Sequence, residues 1–65
     1  MKVEIRARQF GRQHFFVESL PEVGDELELD GVEENGSYRV VRVALPGNSL
    51  HPKVTLPTLF CERVG

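Results

Sequence analysis

The chain has no tryptophan, one cysteine and one tyrosine among its 65 residues, and no long apolar run. Each shortage excludes something. With Cys61 as its sole thiol, the chain forms no internal disulfide framework, and a reducing, cytoplasmic setting is expected. No stretch approaches the roughly 20 apolar residues of a membrane span. The N-terminal run MKVEIRAR alternates charged with apolar residues, where a signal peptide would be continuously apolar. Glycines occur singly, so no glycine-rich loop is present to cradle a phosphate. His14, His51 and Cys61 are scattered without the close ligand spacing of a structural zinc site, so no metal and no cofactor are expected.

Positive charge is also missing from the middle of the chain. Residues 13–38 hold no Lys or Arg, yet carry eight acids: Glu18, Glu22, Asp25, Glu26, Glu28, Asp30, Glu33 and Glu34. The flanks are the reverse. Lys2, Arg6, Arg8 and Arg12 oppose only Glu4 at one end, and Arg39, Arg42, Lys53 and Arg63 oppose only Glu62 at the other. The net charge of −2 therefore conceals a basic–acidic–basic layout. The expected consequence is neutralisation between neighbouring strands, with Glu26, Glu28 and Asp30 near Arg39 and Arg42. The first strand has no such acidic neighbour except Glu18, so its charge is expected to stay free.

What is present is alternation. In KVEIRAR, Val3, Ile5 and Ala7 share one face, and Lys2, Glu4, Arg6 and Arg8 the other, which is the period of a half-buried strand. Gly11 suits a turn, and QHFFVESL reads as a second strand. Pro21 and Gly24 break the chain, and Asp25 can bond backbone amides there. Leu27 and Leu29 then alternate with Glu26, Glu28 and Asp30 in a third strand. Gly31 and the Asn35–Gly36 pair signal a hairpin before the fourth strand, SYRVVRVAL. The last segment, KVTLPTLFCERV, is interrupted by Pro57, and a break or bulge on a sheet edge is expected there. No helical period is long enough to define a helix, although a single turn within 45–52 is compatible with the pattern.

Five short strands with hairpin-length connections predict one all-β domain over residues 1–65, a small five-stranded antiparallel barrel or a strongly bent meander. Three adjacent apolar pairs disturb strict alternation: Phe15–Phe16, Val40–Val41 and Leu59–Phe60. Either a β-bulge lies at each, or one member faces outward toward a partner. The alternation does not say which of Phe15 and Phe16 is buried.

The stretch PEVGDELELDG…SYRVVRV resembles a pattern in small, uncharacterised bacterial SH3-like barrel domains. There a turn such as Pro21, Val23, Gly24 and Asp25 opens one strand, and a run such as Tyr38, Val40, Val41 and Val43 forms the next. The resemblance covers about half the chain and implies an SH3-like barrel, without implying an activity. The tryptophan and acidic-aromatic loop of peptide-binding SH3 domains are missing, which argues against proline-rich ligands.

No residue group spells out a reaction. Cys61 sits among large apolar residues, where a packed thiol is the expectation, and His51 precedes Pro52 in a loop. A non-catalytic interaction module is expected, not an enzyme. Its partner is a protein, a second copy of the chain included, met by Arg8, Phe10, Arg12, His14 and Phe16. The alternative is a single-stranded nucleic acid, met by Lys2, Arg6, Arg8, Arg12, Phe10 and His14, since cations interleaved with rings serve phosphate contact and base stacking. A contiguous apolar patch around Phe16 or Phe60 would favour protein. Arginines framed by rings would favour nucleic acid.

Overall fold

Five strands form, in the order read from the sequence: β1 (Lys2–Ala7), β2 (Gly11–Phe16), β3 (Glu26–Leu29), β4 (Gly36–Ala44) and β5 (Thr58–Arg63). The structure is a computed structural model and describes residues 1–47 and 54–64. The described residues include no helix, and so none long and apolar enough to cross a membrane. The helical turn allowed for within 45–52 falls largely outside the described residues, as do His51 and Lys53.

The strands make one curled sheet, a half-barrel, in the order β2-β1-β5-β4-β3. Three ladders are antiparallel, but β1 and β5 run parallel, so the sheet is mixed and not antiparallel throughout. Alternation specifies the two faces of a strand. It does not specify the direction of a neighbour that is distant in sequence. β2 and β3 lie at opposite ends of this order. Gln13 Nε2 reaches across from β2 to donate to the Gly31 carbonyl at 3.2 Å.

Turn chemistry sets the two hairpins. Phe10 N–H donates to the Ala7 carbonyl (3.3 Å), and Gly11 follows at φ +79°, a conformation that side-chain-bearing residues rarely adopt. This makes β2 begin at Gly11 and end at Phe16, earlier than the expected QHFFVESL. Asn35–Gly36 is not the centre of a two-residue turn. Leu29 pairs with Gly36, leaving residues 30–35 as a wider loop in which Asn35 Oδ1 accepts from Val32 N–H at 3.3 Å.

Asp25 acts as expected, its carboxylate accepting the Glu22 N–H at 3.0 Å. The turn it closes is tied to β4 by Gly24 N–H to the Val40 carbonyl (2.8 Å) and Val40 N–H to the Asp25 carbonyl (2.9 Å). At this point the β4–β5 register shifts between Val40 and Arg42, a bulge that leaves Val41 exposed. β5 starts directly after Pro57, so the expected break is present, but β5 is a central strand and not an edge. Pro57 stands ahead of the ladder, where its carbonyl accepts the Glu4 N–H at 2.9 Å and its missing donor is not required.

The inner face holds the core: Val3, Ile5, Ala7, Leu29, Tyr38, Val40, Leu59 and Cys61, with Phe15, Val17, Leu20 and Leu27 among those packed against it. Phe15 points inward and Phe16 outward, at 82% exposure. The Tyr38 ring is fully buried and its hydroxyl donates to the Glu34 carbonyl.

Because Ile5 is fully buried, Ile5→Val should cost about 0.5–1.5 kcal/mol. In a domain of this size that lowers Tm by several degrees, at about 4–8 °C per kcal/mol. Phe16→Ser should change stability by no more than about 0.5 kcal/mol. Thermal melts followed by circular dichroism check both; the reverse order of effects would contradict the assignment of faces.

Candidate interaction surface on the outer sheet face

The side chains that alternate away from the core fall into lateral rows, because each ladder sets its partners side by side. One row is unusual. Arg12 on β2 is opposite Arg6 on β1, Arg6 is beside Phe60 on β5, and Phe60 is opposite Arg42 on β4. Four neighbouring strands thus contribute Arg12, Arg6, Phe60 and Arg42 in that order. Three inter-strand steps of about 4.8 Å make the row about 14 Å long. The Arg42 guanidinium lies over the Phe60 ring at 4.1 Å, and that of Arg6 at 5.6 Å, both within cation–π range.

The next row begins with His14 and Glu4, which are partners across β2 and β1. Glu4 is the acid of this region. One carboxylate oxygen accepts from Arg6 Nε, and the other is 3.4 Å from His14 Nε2. The hydrogen bond from Arg6, helped by the charge of Arg6 and Arg12 and by His14, holds its carboxyl below the ordinary value, although partial burial works against this. Glu4, Arg12, Gln13, His14 and Thr55 line a shallow, open groove. One carboxylate therefore meets Arg6, Arg12 and His14. Among the described residues, Arg12 and Arg42 have no carboxylate within salt-bridge distance.

Elsewhere the expected neutralisation occurs, but less widely. Arg39 lies 3.4 Å from Glu26 and 3.8 Å from Glu62, and Arg63 lies 3.3 Å from Glu34. Arg42 does not join it. β3 pairs with β4 only up to Arg39, and the bulge then carries Arg42 past the acidic strand and onto Phe60.

Of the residues singled out from sequence, Lys2, Arg6, Arg12, His14 and Phe16 come together on this outer face, with Arg8 exposed in the adjoining turn. Phe10 does not. Its ring packs edge-on against Tyr38 at 5.6 Å between centroids and joins the core margin. It leaves the contact group because the turn that places Gly11 at positive φ folds residue 10 beneath the sheet. Phe60, read from sequence as an apolar patch, and Arg42, expected beside the acids of strand three, were not placed with the contact group. The Leu59–Phe60 pair signalled that one of its members faces outward, but only the β1–β5 pairing reveals what that residue stands beside.

Cys61 lies in the core and His14 on the opposite side of the sheet, so they form no nucleophile–base pair. Burial pushes the Cys61 thiol up to about 11, which keeps it protonated at neutral pH. His51 is outside the described residues.

Glu4 should titrate below its ordinary value of 4.5 in the native protein. A depressed carboxylate contributes stability above the unfolded-state pKa and loses it as pH falls through the lower native value. Side-chain carbon NMR checks the midpoint. Arg6→Gln should move it upward, and a wild-type midpoint at or above 4.5 would contradict the ion pair. No family model, curated protein or solved structure matches this chain.

Proposed function

We propose that this chain is a non-catalytic interaction module whose working surface is the outer face of β2, β1, β5 and β4. The observation that carries this reading is the Arg12–Arg6–Phe60–Arg42 row. Like charges directly opposite on a ladder destabilise a sheet, and Arg6 is directly opposite Arg12. An anionic partner relieves that repulsion. We also place the fold in the SH3-like class, supported by the curled five-stranded sheet and by the Pro21–Asp25 turn bound to Val40. A cytoplasmic setting is supported by the free, buried Cys61.

A second reading, a protein partner that includes a second copy of the chain, is favoured by Phe16, which is 82% exposed on an edge strand. Light scattering tests the self-association part: a mass of 7.4 kDa at micromolar concentration removes it.

The working surface itself is tested on immobilised heparin, used as a generic polyanion. Despite a net charge of −2, the protein should be retained at low salt, and Arg12→Glu/Arg42→Glu should flow through. Flow-through of the wild type would contradict an anion-binding face.

A further inference from the structure

We propose that the arginine row binds the phosphodiester backbone of single-stranded nucleic acid, with Phe16 and the guanidinium of Arg42 as the platforms on which unpaired bases stack. The inference rests on the reading of the outer face given above and names its ligand. Two features of that face go beyond a generic preference for anions.

The first is the interleaving of planar groups with charge. A guanidinium held flat over a ring keeps its N–H donors at its rim and offers a planar cationic surface. The Arg42 guanidinium lies over Phe60 at 4.1 Å and is exposed. Bases splayed out of a single strand stack on aromatic rings or on arginine planes. Phe16, opposite Lys2 at the far end of β2, offers a free ring beside a second cation. It is four residues from Arg12, which at about 3.3 Å per residue is about 13 Å along the strand. Phe16 and Arg42 therefore lie apart, with His14, Glu4, Arg12 and Arg6 between them, a spacing that suits a flexible chain of alternating phosphates and bases.

The second feature is the pairing of the acids. Several carboxylates near the row are already paired with the protein's own cations, which offsets the charge they present to a polyanion. Glu26, Glu34 and Glu62 are engaged by Arg39 and Arg63, and Glu4 by Arg6. Among the described residues the outer face carries no helix to enter a duplex groove, and the stacking platforms demand unpaired bases. Duplex should therefore bind more weakly.

Fluorescence anisotropy with labelled RNA and DNA strands of roughly 12 nucleotides, within the usual span of small barrels, tests the inference. Saturable binding should appear at low salt. With Arg12, Arg42 and Lys2 on phosphates, log K against log salt should have a slope of about −2, or about −0.7 for each contact. Arg12→Gln should reduce the slope to about −1.4, while leaving Tm unchanged or raised, because it removes a like-charge pair. Phe16→Ala should weaken binding by about fivefold or more, as loss of one stacked base does. The RNA and DNA arms decide which sugar is preferred. Absence of binding at low salt, a slope near zero, or equal binding of a duplex or a poly-glutamate peptide would overturn the proposal. Retention on heparin together with any of these would reject the nucleic acid while leaving the anion-binding face intact.

Discussion

The parallel ladder between β1 and β5 is the constraint on which the rest of the molecule depends. Without it the chain would be a β1–β2 hairpin and a separate β3–β4–β5 meander. A lone hairpin is marginal in water, and neither piece could enclose Val3, Ile5 and Ala7 together with Leu59, Cys61 and Tyr38 in one interior. A chain of this length buries only about 60% of its unfolded surface, so it has little stability to spare. The ladder runs from Glu4–Thr58 to Ala7–Cys61 and is preceded by the bond from Glu4 to the Pro57 carbonyl.

The same pairing creates the outer face. Arg6 meets Phe60 only because β1 and β5 are neighbours in this register. Arg42 meets Phe60 only because the bulge at Val40–Val41 shifts β4 by one residue past its partner. A bulge costs ladder regularity and exposes Val41. Here it separates the two arginines of β4: Arg39 goes to the acids of β3 and β5, and Arg42 to the ring.

Much of the architecture could be read from local pattern, because local pattern encodes it. The alternation of Val3, Ile5 and Ala7, and of Leu27 and Leu29, reports the inner face directly. The Asp25 turn and the glycine at position 11 are single-residue signals with a conformational cause. Direction and neighbours are different, because they depend on contacts between residues 4–7 and 58–61, more than fifty positions apart. For the same reason Phe60 and Arg42 could not be joined to Arg6 and Arg12 in advance, and Pro57 was expected on an edge. Phe10 misled because its turn, and not its strand parity, decides where the ring points. The Asn35–Gly36 pair misled because Val32 and Asn35 close a wider loop.

The most direct test is whether β1 and β5 are paired in solution as they are in this structure. In isotope-labelled protein, nuclear Overhauser contacts should link Ile5 with Leu59 across a parallel ladder. The side-chain protons of Arg42 should be shifted upfield by the Phe60 ring, and should return to ordinary positions in Phe60→Leu. Contacts placing another strand beside β1, or an Arg42 resonance insensitive to Phe60, would contradict the account.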